Sequence, residues 1–139
     1  MSAITQAIHG KLEGDTELTG MLATYQGRPA IFTFEPVPED AIRPYIIAAG
    51  HVSDNYEGIS TKTRAGRDIL RDIRCYVDRG DMARVEDIAE RVRQLFHRGS
   101  LEITGWKTVR VNASGPTIGT PEDTAHGLIV TISFTIQEG

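Results

Sequence analysis

Residues 81–99 read DMARVEDIAERVRQLFHRG, and this stretch decides the fold. Val85, Ile88, Ala89, Val92, Leu95 and Phe96 recur at three- and four-residue spacing, so at 3.6 residues per turn they fall within an arc of roughly 120°. A stripe that wide covers a sheet, whereas a coiled-coil seam is narrower. Asp81 supplies an N-cap and Gly99 a stop. Strands are therefore expected on both sides. Upstream, 69–77 alternates, with Ile69, Ile73, Cys75 and Val77 on one face and Leu70, Asp72, Arg74 and Tyr76 on the other, while Arg71 interrupts the apolar face. Residues 45–52 form a compact apolar run between Pro44 and the polar Ser53-Asp54-Asn55, the pattern of a buried strand. Downstream, 107–112 alternates with Val109 and Val111 inward. Leu128, Val130, Ile132, Phe134 and Ile136 then alternate with Ile129, Thr131, Ser133 and Thr135.

Ahead of these strands, Ser2 caps a first helix carrying Ile4, Ala7, Ile8 and Leu12, and Gly14 ends it. Asp15 or Thr16 caps a short second helix with Leu18, Met21 and Leu22 on one face, despite the unfavourable Gly20. Residues 30–34 read as a brief strand, after which Pro36, Pro38 and Pro44 break regular structure. No repeat or linker divides the chain, so 1–139 reads as a single domain. The order is helices, hairpin, covering helix, hairpin. That predicts an α+β fold: a mostly antiparallel sheet of about four to five strands with one long helix and the N-terminal helices packed on it. The expected core is Ile46, Ile73, Val77, Val85, Ile88, Val92, Leu95, Phe96, Val130, Ile132 and Phe134. Two polar segments, 53–66 and 113–126, are long for hairpin connections and read as loops that order against partners.

With 139 residues, 40% of them hydrophobic, the chain can bury a core without disulfide or metal. Cys75 is the one cysteine and has nothing to bridge. Together with the lack of a cleavable signal or an eighteen-residue apolar run, this predicts cytoplasmic synthesis and no membrane. A net charge of −4 argues against a nucleic-acid binder that works by massed basic charge. The charge is segregated: residues 1–61 carry three basic and eight acidic side chains, and 62–98 carry ten and seven. An acidic flank and an arginine-rich middle suit a head-to-tail oligomer.

Catalytic signals are lacking. His9, His51, His97 and His126 fall on different elements with no partner at metal-ligand spacing. Cys75, beside Ile73 and Val77, reads as a buried thiol. No dinucleotide, phosphate-loop, serine-nucleophile or zinc-protease motif occurs, so neither an enzyme nor a cofactor is expected. Arg79-Gly80-Asp81 reads as a turn running into an N-cap. Arg84, Arg91 and Arg98, with Asp87 four before Arg91, read as a solvated, ion-paired stripe. Trp106 is assigned to the core. In the first polar segment, Tyr56 and Ile59 are candidate apolar anchors of an assembly interface, with Lys62, Arg64 and Arg67 as its charged rim. Arginines facing a lumen are the rival reading.

Several features together resemble the tail-terminator (tail-completion) proteins of long-tailed phages and gene transfer agents. They are the N-terminal helical segment, Ala30-Ile31-Phe32, Val37-Pro38, Ala41, Arg43-Pro44-Tyr45-Ile46 and Gly50. A polar loop follows, then Asp72-Ile73-Arg74-Cys75-Tyr76-Val77-Asp78-Arg79, Ile88-Ala89 on the helix, and the final alternating strand. The resemblance spans nearly the whole chain and carries no catalytic residues. It implies a homo-hexameric ring that sits on the last ring of tail-tube protein, stops its polymerisation and meets a neck stopper or adaptor. DNA would pass through the lumen without sequence-specific binding. The location implied is the cytoplasm during assembly, then the head-tail junction. Two other classes remain open: a small α+β enzyme or ligand-binding dimer, and a different neck component such as a stopper or head-completion adaptor.

Overall fold

A computed structural model describes residues 3–34, 37–56, 66–118 and 125–138, with the side chains of 49–56, 66, 67, 109 and 138 outside the description. The order is α1 (Ala3–Glu13), α2 (Thr16–Thr19), β1 (Thr24–Tyr25), β2 (Arg28–Pro29), β3 (Ile31–Phe32), β4 (Tyr45–Tyr56), β5 (Gly66–Asp78), α3 (Met82–Phe96), β6 (Trp106–Ile118) and β7 (Ala125–Glu138). The fold is α+β. β1 and β2 form a small hairpin of their own, turned by Gln26 and Gly27, both at positive φ, as a two-residue hairpin turn requires.

The main sheet has the order β3-β4-β5-β7-β6. β3 runs parallel to β4, whereas β4–β5, β5–β7 and β6–β7 are antiparallel. The expectation of a mostly antiparallel sheet is thus corrected to a mixed one. Pro38 and Pro44 keep the described part of the connection out of regular structure, and β4 starts alongside β3 in the same direction.

α3 lies across the sheet as its apolar arc requires. Val85, Ile88, Ala89, Val92 and Phe96 are fully buried in one cluster with Ile46, Ile73, Val77, Val130, Ile132 and Phe134. Leu95 and Trp106 are only partly buried against that cluster, at its border. α1 adds Ile4, Ile8 and Leu12, and α2 adds Leu18. Arg71 interrupts the apolar strand face but is only 8% exposed, and its Nη1 donates to Thr5 Oγ1 of α1 at 3.4 Å. A second cluster holds Ala30, Phe32, Tyr45, Ile47, Tyr76 and Ala125. Phe32 is its hub, with Tyr25, Phe34 and Tyr45 packed edge-on around it.

Three local expectations are corrected. The described parts of both polar segments are strand: 53–56 and Gly66 belong to the β4–β5 hairpin, and 113–118 and 125–126 to β6–β7, while 57–65 and 119–124 lie outside the described residues. The polar residues mislead because strands at a sheet margin accept Ser and Thr facing water. Gly115 sits at φ +100, where an added Cβ would stand 2.9 Å from Ile129 O. It therefore lets Pro116 ride in an edge strand, the position where a missing amide donor is tolerated. Asp81 occupies the N-cap of α3 without a side-chain capping bond; its carboxylate lies 3.7 Å from Arg84 instead. The positive-φ stop after α3 falls at Arg98, not Gly99, because Arg98 N–H bonds Val111 O at 2.8 Å and stitches the helix end to β6.

Candidate assembly surface

Two of the five candidate interface residues fall at one hairpin end. Tyr56, the last residue of β4, stands opposite Arg67 of β5 in register, while Ile59, Lys62 and Arg64 lie outside the described residues, as do the side chains of Tyr56 and Arg67. The register fixes where this end points. β5 starts with Gly66 opposite Gln137 and finishes with Asp78 opposite Ala125. The connection between β4 and β5 thus leaves the sheet where β7 ends, and the connection between β6 and β7 leaves it where β7 begins. The two segments that the sequence marks as assembly surfaces issue from opposite ends of one sheet. A 13-residue β5 at about 3.3 Å per residue separates those ends by about 40 Å.

Four large apolar side chains stand out among the described residues: Phe34, Ile42, Met82 and Ile118. Met82 opens α3 and Ile118 closes β6, both at the end from which the β6–β7 connection leaves. Phe34 and Ile42 lie in the connection from β3 to β4. Sequence reasoning missed all four. The available signal was Phe34, two residues beyond Phe32 and just ahead of the prolines, an aromatic with no further strand to bury it.

Residues 6–137 match the family model described as Tail completion protein gp17. The chain belongs to this family. It is a family of structural virion proteins and not an enzyme class. A chain from a structure described as "Virion of native gene transfer agent (GTA) particle" has the same fold, with a TM-score of 0.75 at 16% sequence identity, over 96% of this chain and 94% of that chain. No curated protein matches.

The charges of this tail completion protein divide into internal clips and open surface. Arg91 is a clip: its Nε donates to Asp15 Oδ2 at 2.9 Å and its Nη2 to Oδ1 at 2.8 Å, and Glu17 lies 3.1 Å away. The sequence pairs Arg91 with Asp87; the structure spends it on α2 instead. Asp15 meanwhile caps α2 by accepting from Leu18 N–H. The hydrogen bond from Arg91 holds the Asp15 carboxyl below its usual range, outweighing burial. Arg43 closes a second clip to Asp78 at 2.8 Å. On the face of the sheet away from α3, Thr131 and Thr135 hydroxyls donate to Asp72 and Asp68 at 2.8 and 2.6 Å, each pair directly opposite in register.

Among the described residues no three His, Cys, Asp or Glu side chains gather where they could hold a metal ion. His9 lies 3.5 Å from Glu13, and His97 Nδ1 accepts from Ala113 N–H at 3.3 Å. Cys75 is fully buried, and desolvation pushes its thiol up to about 12, which keeps it protonated and unreactive. No described helix is long and apolar enough to cross a membrane.

Proposed function

We propose that this tail completion protein is a tail terminator. Residues 1–139 act as one terminator-like domain, a homo-hexameric ring of which caps the tail-tube protein, halts its growth and presents a second surface to a neck stopper or adaptor. DNA passes through the lumen without sequence-specific contact. The protein is made in the cytoplasm and ends at the head-tail junction of a phage or gene-transfer-agent particle. The observation that carries this reading is the placement of the two hairpin connections at opposite ends of the sheet, about 40 Å apart. A protein set between a tube and a neck needs two separate surfaces, and this topology supplies them. Membership of the tail completion family and the shared fold with a chain of a transfer-agent virion support the same place.

Within that scheme Tyr56, Ile59, Lys62, Arg64 and Arg67 form one assembly surface, with apolar anchors inside a charged rim. Deleting 56–64 tests it. The subunit should still fold, because the deletion stops at the Arg67 end of the ladder and leaves every core residue in place. Particles should carry overlong or headless tails. Normal infectious or transducing particles from the deletion would remove this surface from the mechanism.

A further inference from the structure

The two margins of the main sheet differ in kind. At the β3 margin, the connection to β4 presents Phe34, 52% exposed, and Ile42, 65% exposed. The same connection carries the exposed acids Glu39 and Asp40. Asp40 accepts from Tyr25 Oη at 3.0 Å, and neither acid has a cationic partner among the described residues. At the β6 margin, residues 99–103 fold back on β6, where Leu101 O accepts from Thr108 Oγ1 at 2.7 Å, and with it line an open cleft of about 360 Å³. Its apolar floor is Leu101, Ile103 and Val111, which belong to the core, with partly buried Trp106 at its side; its charged lining is Lys107, Arg110 and Glu102. Arg110 is held outward at φ +53 on the bulge between Val109 and Asn112. Lys107 and Arg110 have no carboxylate partner among the described residues, and Arg98 adds a further exposed cation next to the cleft.

We propose that these margins bind each other in successive copies: the Phe34–Ile42 knob of one subunit seats in the Leu101–Ile103–Trp106 cleft of the next, with Glu39 and Asp40 facing Lys107 and Arg110. This rests on the ring reading above and names its subunit contact. The occupant is a second copy because both halves belong to this chain and their charges match, acid to base, with partly buried Trp106 there to meet the exposed Phe34 or Ile42. The halves lie on opposite edges of one sheet, with three strands between β3 and β6. Ile42 lies beside the Arg43–Asp78 pair where β7 begins, and Trp106 and Lys107 lie where β7 ends, so the contact is heterologous, joins subunits head to tail with the strands oblique to the ring axis, and closes into a ring where the rotation allows. Direct strand pairing between copies is interrupted along the β6 margin. The α3 end already takes Val111 O and Ala113 N–H, and Pro116 offers no donor.

Single exposed cysteines test the contact. Glu39→Cys and Lys107→Cys variants are bound to tails and treated with a short bismaleimide, with buried Cys75 as the unreactive background. A mixture of the two should give covalent dimers and nothing larger, the double variant should give a ladder, and either variant alone should give none. Charge reversal supplies the second readout. Lys107→Glu with Arg110→Glu, or Glu39→Lys with Asp40→Lys, should each weaken self-association at least about tenfold, while mixing the two restores assembly with the variants alternating, because the acidic knob of one then meets the basic cleft of the other and the lysine knob meets the glutamate cleft. Self-crosslinking of either single variant would show a two-fold contact and overturn the proposal. Absence of mixed dimers on tails would also overturn it. If native mass still reports a closed ring in that case, the ring reading stands and only this interface falls; a closed two-subunit assembly would remove both.

Discussion

Phe96→Ala probes the packing on which the rest depends. Phe96 is fully buried and heads the largest buried side chains of the core. Lys11 of α1 lies over its ring, with Nζ 5.9 Å from the centroid, while the same Nζ donates to Ser100 O at 2.7 Å. Truncation removes the ring from a site closed by helix and sheet, where the surroundings can collapse only in part, so the expected loss is about 3–5 kcal/mol. With a urea dependence of about 2 kcal/mol per molar for a domain of this size, the midpoint should fall by about 2 M. The melting temperature should drop by roughly 10–17 °C. Phe34→Ala is the matched control: the same atoms leave a side chain 52% exposed, and the loss should stay under about 1 kcal/mol because only its edge contact with Phe32 and partial burial are given up. Paired urea titrations by circular dichroism decide the matter. A Phe96→Ala loss below about 1 kcal/mol would refute the claim that α3 covers the sheet.

Arg91→Ala should lower the melting midpoint at pH 7, and the gap to wild type should close on acidification. Asp15 has its folded pKa depressed, so its contribution is present above its unfolded value of about 3.9 and is lost as pH falls through the folded one; a gap that persists at pH 2 would contradict the clip. Cys75→Ser should cost about 1–3 kcal/mol by burying a hydroxyl among apolar neighbours yet leave tail assembly intact, and native Cys75 should resist alkylation until urea unfolds the chain. Gly115→Ala should destabilise by more than about 1 kcal/mol, since its φ of +100 and the 2.9 Å approach to Ile129 O both exclude a Cβ; an unchanged urea midpoint would show that β6 is not held in this register.

The elements that carry long apolar periodicity were legible in the sequence. α3, the inner faces of β5 and β7 and the buried run that opens β4 follow from spacing alone, because a buried face tolerates few substitutions of type. Ten of the eleven expected core residues are fully packed, and the eleventh, Leu95, sits at the border. What failed to read was edge structure. Residues 113–118 combine Ser, Gly, Pro and Thr, loop chemistry by composition, yet they form strand because β7 offers its ladder and water accepts their outer side. β3 is two residues long, too short for any period to show, and its parallel pairing depends on the path of the connection to β4. The strands that flank the segment between Tyr56 and Arg67 were legible, although their polar ends at 53–56 and Gly66 were not. The exposed Phe34, Ile42, Met82 and Ile118 were not, since exposure of an apolar residue is decided by which element fails to cover it.

The most direct test of the terminator reading is to locate and count this protein in particles, by electron cryomicroscopy of tails carrying a labelled copy. The account predicts one ring of six subunits at the head-proximal end of the tube, with its two hairpin ends facing tube and neck. Label spread along the tube, placed on the capsid shell, or present as an isolated pair of subunits would contradict it.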